Sequence, residues 1–123
     1  ICSQDDDFLT VSSKIFEGKE VKGLSVATKK VTSINAVEGC NVLFVSKKHF
    51  LAWKAVLQSE ALKKTMIIGE EKGFIQSGGH VNFFLLSGKI RFEISLLNLE
   101  RSGIKLSSKV LRLGKVHGES GHE

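Results

Sequence analysis

The sequence predicts a layered α/β/α sandwich around a mostly parallel mixed sheet, with a C-terminal β-hairpin followed by short helices. Three observations carry that prediction. Strand-length apolar runs alternate with segments of helical periodicity, in the order strand, helix, strand, strand, helix, strand, hairpin, helix. The run at residues 40–46, CNVLFVS, is almost continuously apolar, as a strand covered on both faces must be. Near the C-terminus two apolar-rich runs, residues 81–86 and 90–95, flank Ser87-Gly88-Lys89, a short loop with glycine at its centre.

Taken in order, residues 1–4 (ICSQ) read as a short strand. Asp5, Asp6 and Asp7 precede Phe8, Leu9, Val11, Ile15 and Phe16, and mark a helix N-terminus, where the helix dipole favours negative charge. A metal triad is the sharper reading of these acids, but three consecutive side chains diverge and do not meet on one ion. Gly18 ends the helix. Residues 21–31 alternate in part, with Leu24, Val26 and Thr28 on one side, and read as a strand. Residues 33–39 form a connector with room for one helical turn. After the strand at 40–46, Ser46 is placed to cap a helix whose Phe50, Trp53 and Leu57 share a side, joined by Leu51, Val56 and Leu62. Trp53, the one tryptophan, reads as a core anchor ahead of a ligand-stacking residue.

Residues 65–69 (TMIIG) make another strand. The glycine-rich stretch that follows, through Gly78 and Gly79, lacks the spacings of phosphate-binding loops and reads as a backbone turn. In the last strand Ile90, Phe92 and Ile94 alternate with Arg91, Glu93 and Ser95. Helical patterns follow at 96–101 and 107–113, separated by Ser102-Gly103, and Ser107 or Ser108 is placed to cap the second. The polar, glycine-rich residues 114–123 read as a disordered tail.

With 123 residues the chain makes one domain, large enough to build a core without a metal. The net charge is +5, but the lysines are scattered and no stacking-aromatic motif accompanies them, which favours a solvated basic surface over a nucleic-acid face. No apolar run reaches 18 residues, the length of a membrane span. His49, His80, His117 and His122 are the imidazoles. His80 beside the glycine pair is a candidate base and Ser77 a candidate nucleophile, yet nothing spaced like G-x-S-x-G surrounds them, and His80 reads as a plain surface or strand-entry residue. Arg91 and Glu93 read as structural ion-pairing groups rather than acid catalysts. Two cysteines and scattered histidines are too few for a zinc site. Cys2 and Cys40 are equally compatible with a disulfide and with two buried thiols. The residues therefore describe a non-enzyme with no cofactor.

Two stretches carry a family resemblance. GGHVNFFLLSGKIRFEIS and SGIKLSSKVLRLGKV resemble the C-terminal half of the YfiR-like family, through Gly78, Gly79, Val81, Asn82, Phe83, Arg91, Phe92, Glu93, Ile94, Gly103, Ile104, Leu106, Ser107, Ser108, Val110, Leu111 and Leu113. Ser95 stands where Asn is usual, and the usual Ile-Ser-Ser reads Leu106-Ser107-Ser108. ICSQDDDF and GCNVLFVS extend the likeness more weakly to the front of the chain. The resemblance implies a single domain over 1–116 with a tail at 117–123, and the same sandwich. It implies a non-catalytic periplasmic protein that holds an inner-membrane signalling protein, a diguanylate cyclase, inactive by direct contact. Gly78, Gly79, His80, Asn82, Arg91 and Glu93 are the expected contact residues. It also implies that Cys2 and Cys40 are paired, in an oxidising compartment. Family members carry a signal sequence and an amphipathic helix ahead of this point, so a truncated or processed chain is expected, covering the bared apolar strip by homodimerising. The runner-up is an extracytoplasmic small-molecule sensor domain of a histidine kinase or similar receptor.

Overall fold

The apolar run at 40–46 lies in the middle of the sheet. The structure, a computed structural model, describes residues 1–21, 23–105 and 115–117. One seven-stranded sheet contains β1 (Cys2–Ser3), β4 (Lys29–Lys30), β5 (Val42–Val45), β6 (Met66–Gly69), β7 (Val81–Leu86), β8 (Lys89–Ser95) and β9 (Lys115–His117), while β2 (Glu20–Val21) and β3 (Leu24–Ser25) form a separate antiparallel pair. The strand order is β4-β1-β5-β6-β7-β8-β9, and every neighbouring pair is parallel except the hairpin β7–β8. This is the expected α/β architecture with a mostly parallel mixed sheet.

Alternation along β5 and β6 sends their residues to two apolar layers. On one face Leu43, Val45 and Ile67 are buried against Cys2, Val31, Phe50, Trp53, Leu57, Leu62 and Phe74, so residues 47–62 form that cover. On the other, Val81 and Ile94 pack with Leu99, Met66, Ile68, Phe92 and Ile104, under α3 (Leu96–Arg101). Phe8 of α1 (Asp6–Phe16) stacks on Phe44, ring centroids 4.1 Å apart. The acidic triplet caps α1: the Phe8 N–H donates to the Asp5 carboxylate at 3.0 Å, and that bond, ahead of the other influences, holds the Asp5 pKa below its ordinary value. Cys2 and Cys40, 38 residues apart, form a disulfide that ties β1 to the segment leading into β5, with Cα atoms 5.9 Å apart.

Several local expectations change. Residues 21–31 are not one strand: Gly23, at φ 80°, turns the chain between β2 and β3, and only Lys29–Lys30 joins the main sheet. After Ser46 there is no continuous helix but a chain of short turns: 3₁₀ at Lys47–His49, α2 at Phe50–Trp53, then 3₁₀ at Lys54–Val56 and Glu60–Leu62. The Ser46 hydroxyl bonds the His49 ring instead of a backbone N–H, so the expected cap is missing. Phe50, Trp53, Leu57 and Leu62 still face the core, but Leu51 points to solvent at 83% exposure. The hairpin loop is only Ser87-Gly88, with Lys89 already in β8. Lys115–His117, expected at the domain's end and the start of a tail, pairs with β8 as β9. The helical pattern at 107–113 and residues 118–123 of the expected tail lie outside the described residues.

Candidate functional site

The glycine pair is a packing device before it is anything else. Gly78 adopts φ 116°, a region L side chains rarely enter. Gly79 has an ordinary φ but faces the Phe74 ring so closely that a Cβ would overlap it, and Gly69 at the end of β6 does the same from another side. Phe74, fully buried, thus sits in a notch cut by two glycines. The Asn98 side-chain amide fastens the loop from α3: it donates to the carbonyls of Ile75 at 3.0 Å and Gly79 at 2.8 Å. The Ser95 hydroxyl accepts from the Asn98 N–H at 3.1 Å and caps α3. Asn98 was not singled out in the sequence; the serine three residues before it, at a strand-to-helix junction, is the signal that marks it.

His80 is not a surface residue but a buried one at the entry to β7, 1% exposed. Its Nδ1 accepts the Ile67 N–H at 2.8 Å, so Nε2 carries the ring proton and donates to the Ser102 hydroxyl, also at 2.8 Å. Burial pulls its pKa from 6.5 down to about 4. A ring nitrogen that donates to a serine does not deprotonate it, so His80–Ser102 is a strut from β6 to the end of α3. Ser77, the sequence's candidate nucleophile, instead donates to the Gly73 carbonyl at 3.0 Å. Asn82, also 1% exposed, accepts the Glu71 N–H at 3.0 Å and donates to Glu93 Oε2 at 2.9 Å. Glu93 is therefore bonded across the hairpin to Asn82, its partner in register, while Arg91 lies exposed opposite Phe84. A second Ser–His contact joins Ser46 Oγ to His49 Nδ1 at 2.8 Å. Here the acid, Asp5, bonds the serine and not the imidazole, and Ser46 is 3% exposed. That order differs from a hydrolytic triad, in which the acid orients the histidine.

Of the six expected contact residues, the structure brings Asn82, Arg91 and Glu93 together on one face of the hairpin. Gly79 and His80, just ahead of β7, are buried. Gly78 borders a polar cavity of about 200 Å³ with Gln58, Lys63, Asn98, Arg101 and Ser102. A larger cavity of about 670 Å³ lies beside the disulfide, lined mainly by apolar groups including Phe16, Leu24, Val26, Cys40 and Val42. Gln4 was not anticipated either: it follows β1 at the carboxyl edge of the sheet, 6% exposed, with neither amide atom hydrogen-bonded. Among the described residues no three His, Cys, Asp or Glu side chains gather to hold a metal, and no helix is long and apolar enough to cross a membrane.

These features define a layered α/β domain in which the buried side chains of His80, Asn82 and Ser95 brace the scaffold. The model of the YfiR/HmsC-like family matches residues 1–115, and the chain belongs to that family. Among solved structures, the fold is similar to the ABC domain in complex with L-Trp from Streptococcus pneumonia, at 14% identity and TM-score 0.62. It is also similar to a conserved domain protein from Vibrio cholerae O1 biovar El Tor, at 11% identity and TM-score 0.63. Each likeness covers 94% of this chain and 53% of the other, so the chain spans about half the length of these neighbours. No curated protein gives a significant sequence match.

Proposed function

We propose that this protein is a non-catalytic periplasmic regulator that binds the extracytoplasmic part of an inner-membrane signalling protein, a diguanylate cyclase, and holds it inactive. Family membership over residues 1–115 carries this reading. The Cys2–Cys40 disulfide supports an oxidising compartment. The contact region is built on Gly78, Gly79, His80, Asn82, Arg91 and Glu93, with the buried members as positioning groups and Arg91 as the exposed one. Inhibition works by population shift: the regulator binds the inactive partner more tightly than the active one, and each factor of ten in that preference is about 1.4 kcal/mol of bias. Release raises cyclic diguanylate and promotes biofilm.

In this reading the protein is a homodimer that covers exposed apolar side chains; the strip is expected on the sheet, but the surface offered to a second copy is on α1 and β3, where Val11, Ile15 and Leu24 are 55%, 52% and 73% exposed. The test of the regulatory reading is titration of a nanodisc-embedded cyclase encoded beside this protein. Saturable loss of cyclic diguanylate synthesis supports it; an unchanged rate at saturating regulator removes it. Light scattering tests the dimer, and a monomer at high concentration overturns it.

The apolar cavity beside the disulfide favours a second reading, a small-molecule sensor domain, since about 670 Å³ suits a compact ligand with an aromatic or aliphatic body. The similar domain from Streptococcus pneumonia is described in complex with L-Trp. Calorimetry with small aromatic amino acids tests it: saturable heat that is lost in a Val26→Trp variant supports a sensor, and no heat removes it.

A further inference from the structure

β7 outruns its neighbour. Pairing with β6 stops at Gly69 and Asn82, whereas pairing with β8 continues to Leu86 and Lys89. Residues 83–92 therefore project as a two-stranded ribbon roughly 13 Å long at about 3.3 Å per residue. Ser87 and Gly88, at φ 52° and 77°, close it with a two-residue turn. The base is stiffened by Asn82, bonded both to Glu93 and to the Glu71 backbone. Among the described residues, the β6-facing edge of residues 83–86 has no strand beside it.

The side chains of this ribbon are unusual for a solvated element. One side carries Phe83, Leu85, Ile90 and Phe92, with the two rings 5.9 Å apart. The other carries Phe84 and Leu86 opposite Arg91 and Lys89. Leu85 is 73% exposed, Ile90 75% and Leu86 55%. Residues 83–92 contain two cations and no acid.

Three occupants compete for such a surface. A bilayer covers the apolar side chains but leaves the N–H and C=O groups of an open edge without partners. A second copy laid edge to edge pairs only the short segment 83–86 with its own counterpart, far short of the roughly 20–30 residues a side of a standard interface. An added strand satisfies the edge with main-chain hydrogen bonds, lays alternate apolar residues beside Phe83 and Leu85, and sets acidic residues within reach of Lys89 and Arg91. We propose that the edge at residues 83–86 is a strand-addition site for an extended segment of alternating apolar and acidic residues. For the identity of the protein that supplies this segment, the proposal rests on the regulatory reading above; the site itself is testable without it.

The experiment uses the full chain, labelled for NMR, with two synthetic hexapeptides, alternating glutamate–valine and alternating lysine–valine, and with phosphatidylglycerol vesicles. With the glutamate peptide at about four times its Kd, amide exchange at alternate residues within 83–86 slows roughly fivefold. The lysine peptide binds at least about tenfold more weakly, a charge preference of about 1.4 kcal/mol. Leu85→Lys abolishes binding while the remaining amide spectrum stays that of the parent. The proposal is overturned by absent protection at 83–86, by equal affinity for the two peptides, or by vesicles sequestering residues 85 and 90 while the glutamate peptide gives no protection. Peptide binding that persists while the cyclase fails to respond contradicts the regulatory reading and leaves the edge site standing.

Discussion

His80 makes the stability of this domain depend on pH. Its ring is neutral in the folded chain because burial lowers its pKa from 6.5 to about 4, and because Nδ1 must accept the Ile67 N–H. In the unfolded chain the ring protonates near 6.5. Between these values the unfolded state binds the extra proton, so stability falls as pH falls. The contribution is fully present above pH 6.5, is lost progressively toward pH 4, and is flat below. From pH 7.5 to pH 5 the loss is RT ln 30, about 2 kcal/mol. Asp5, whose pKa is lowered, keeps its contribution above the ordinary carboxylate pKa and loses it as pH falls from there through the lowered value, beyond the acidic end of the pH 7.5 to pH 5 comparison. The assay is urea unfolding of the parent and of His80→Asn at pH 7.5 and pH 5. The asparagine keeps an acceptor for Ile67 but does not titrate. The variant is less stable at pH 7.5, by about 1–2 kcal/mol for the lost Ser102 bond, yet its decline on acidification is about 2 kcal/mol smaller than the parent's. Equal declines in the two proteins refute the neutral, buried histidine.

Reducing the Cys2–Cys40 bond frees a loop of 38 residues, which the chain-entropy model values at about 4 kcal/mol. Over 123 residues this lowers Tm by about 15 °C, and a calorimetric scan with reductant that shows no shift contradicts the stabilising role. Gly79→Ala drives a methyl group into the Phe74 ring and costs about 1–3 kcal/mol; an unchanged urea midpoint contradicts the notch. Gln4→Leu removes two buried, unbonded polar atoms and stabilises by about 1 kcal/mol, whereas a destabilised variant shows that the amide has a partner in solution.

The strands were legible where burial on both faces made them so. CNVLFVS and TMIIG need no turn chemistry to be recognised, and β5 and β6 fall inside them. The hairpin was legible from its glycine-centred loop and the alternation of β8, and Asp5 from the dipole logic of its neighbours. What failed was local. The apolar spacing around Phe50 and Trp53 showed which side faces the core, but spacing alone does not distinguish an α-helix from a chain of 3₁₀ turns. Gly23 turned an apparent strand because a positive φ leaves no mark in alternation. At the candidate site the glycine pair and Asn82 stood out by pattern, but their roles did not. That Gly79 yields space to Phe74, or that Asn98 reaches back 19 residues to the Gly79 carbonyl, is a property of packing between distant segments.

The most direct test of the account is the affinity of this protein for the proposed partner, a membrane-bound diguanylate cyclase, held in two states, cyclase-active and cyclase-inactive, and measured in the same nanodiscs. A regulator that acts by binding alone must prefer the inactive state by at least about tenfold, or 1.4 kcal/mol. Equal affinity for the two states contradicts it.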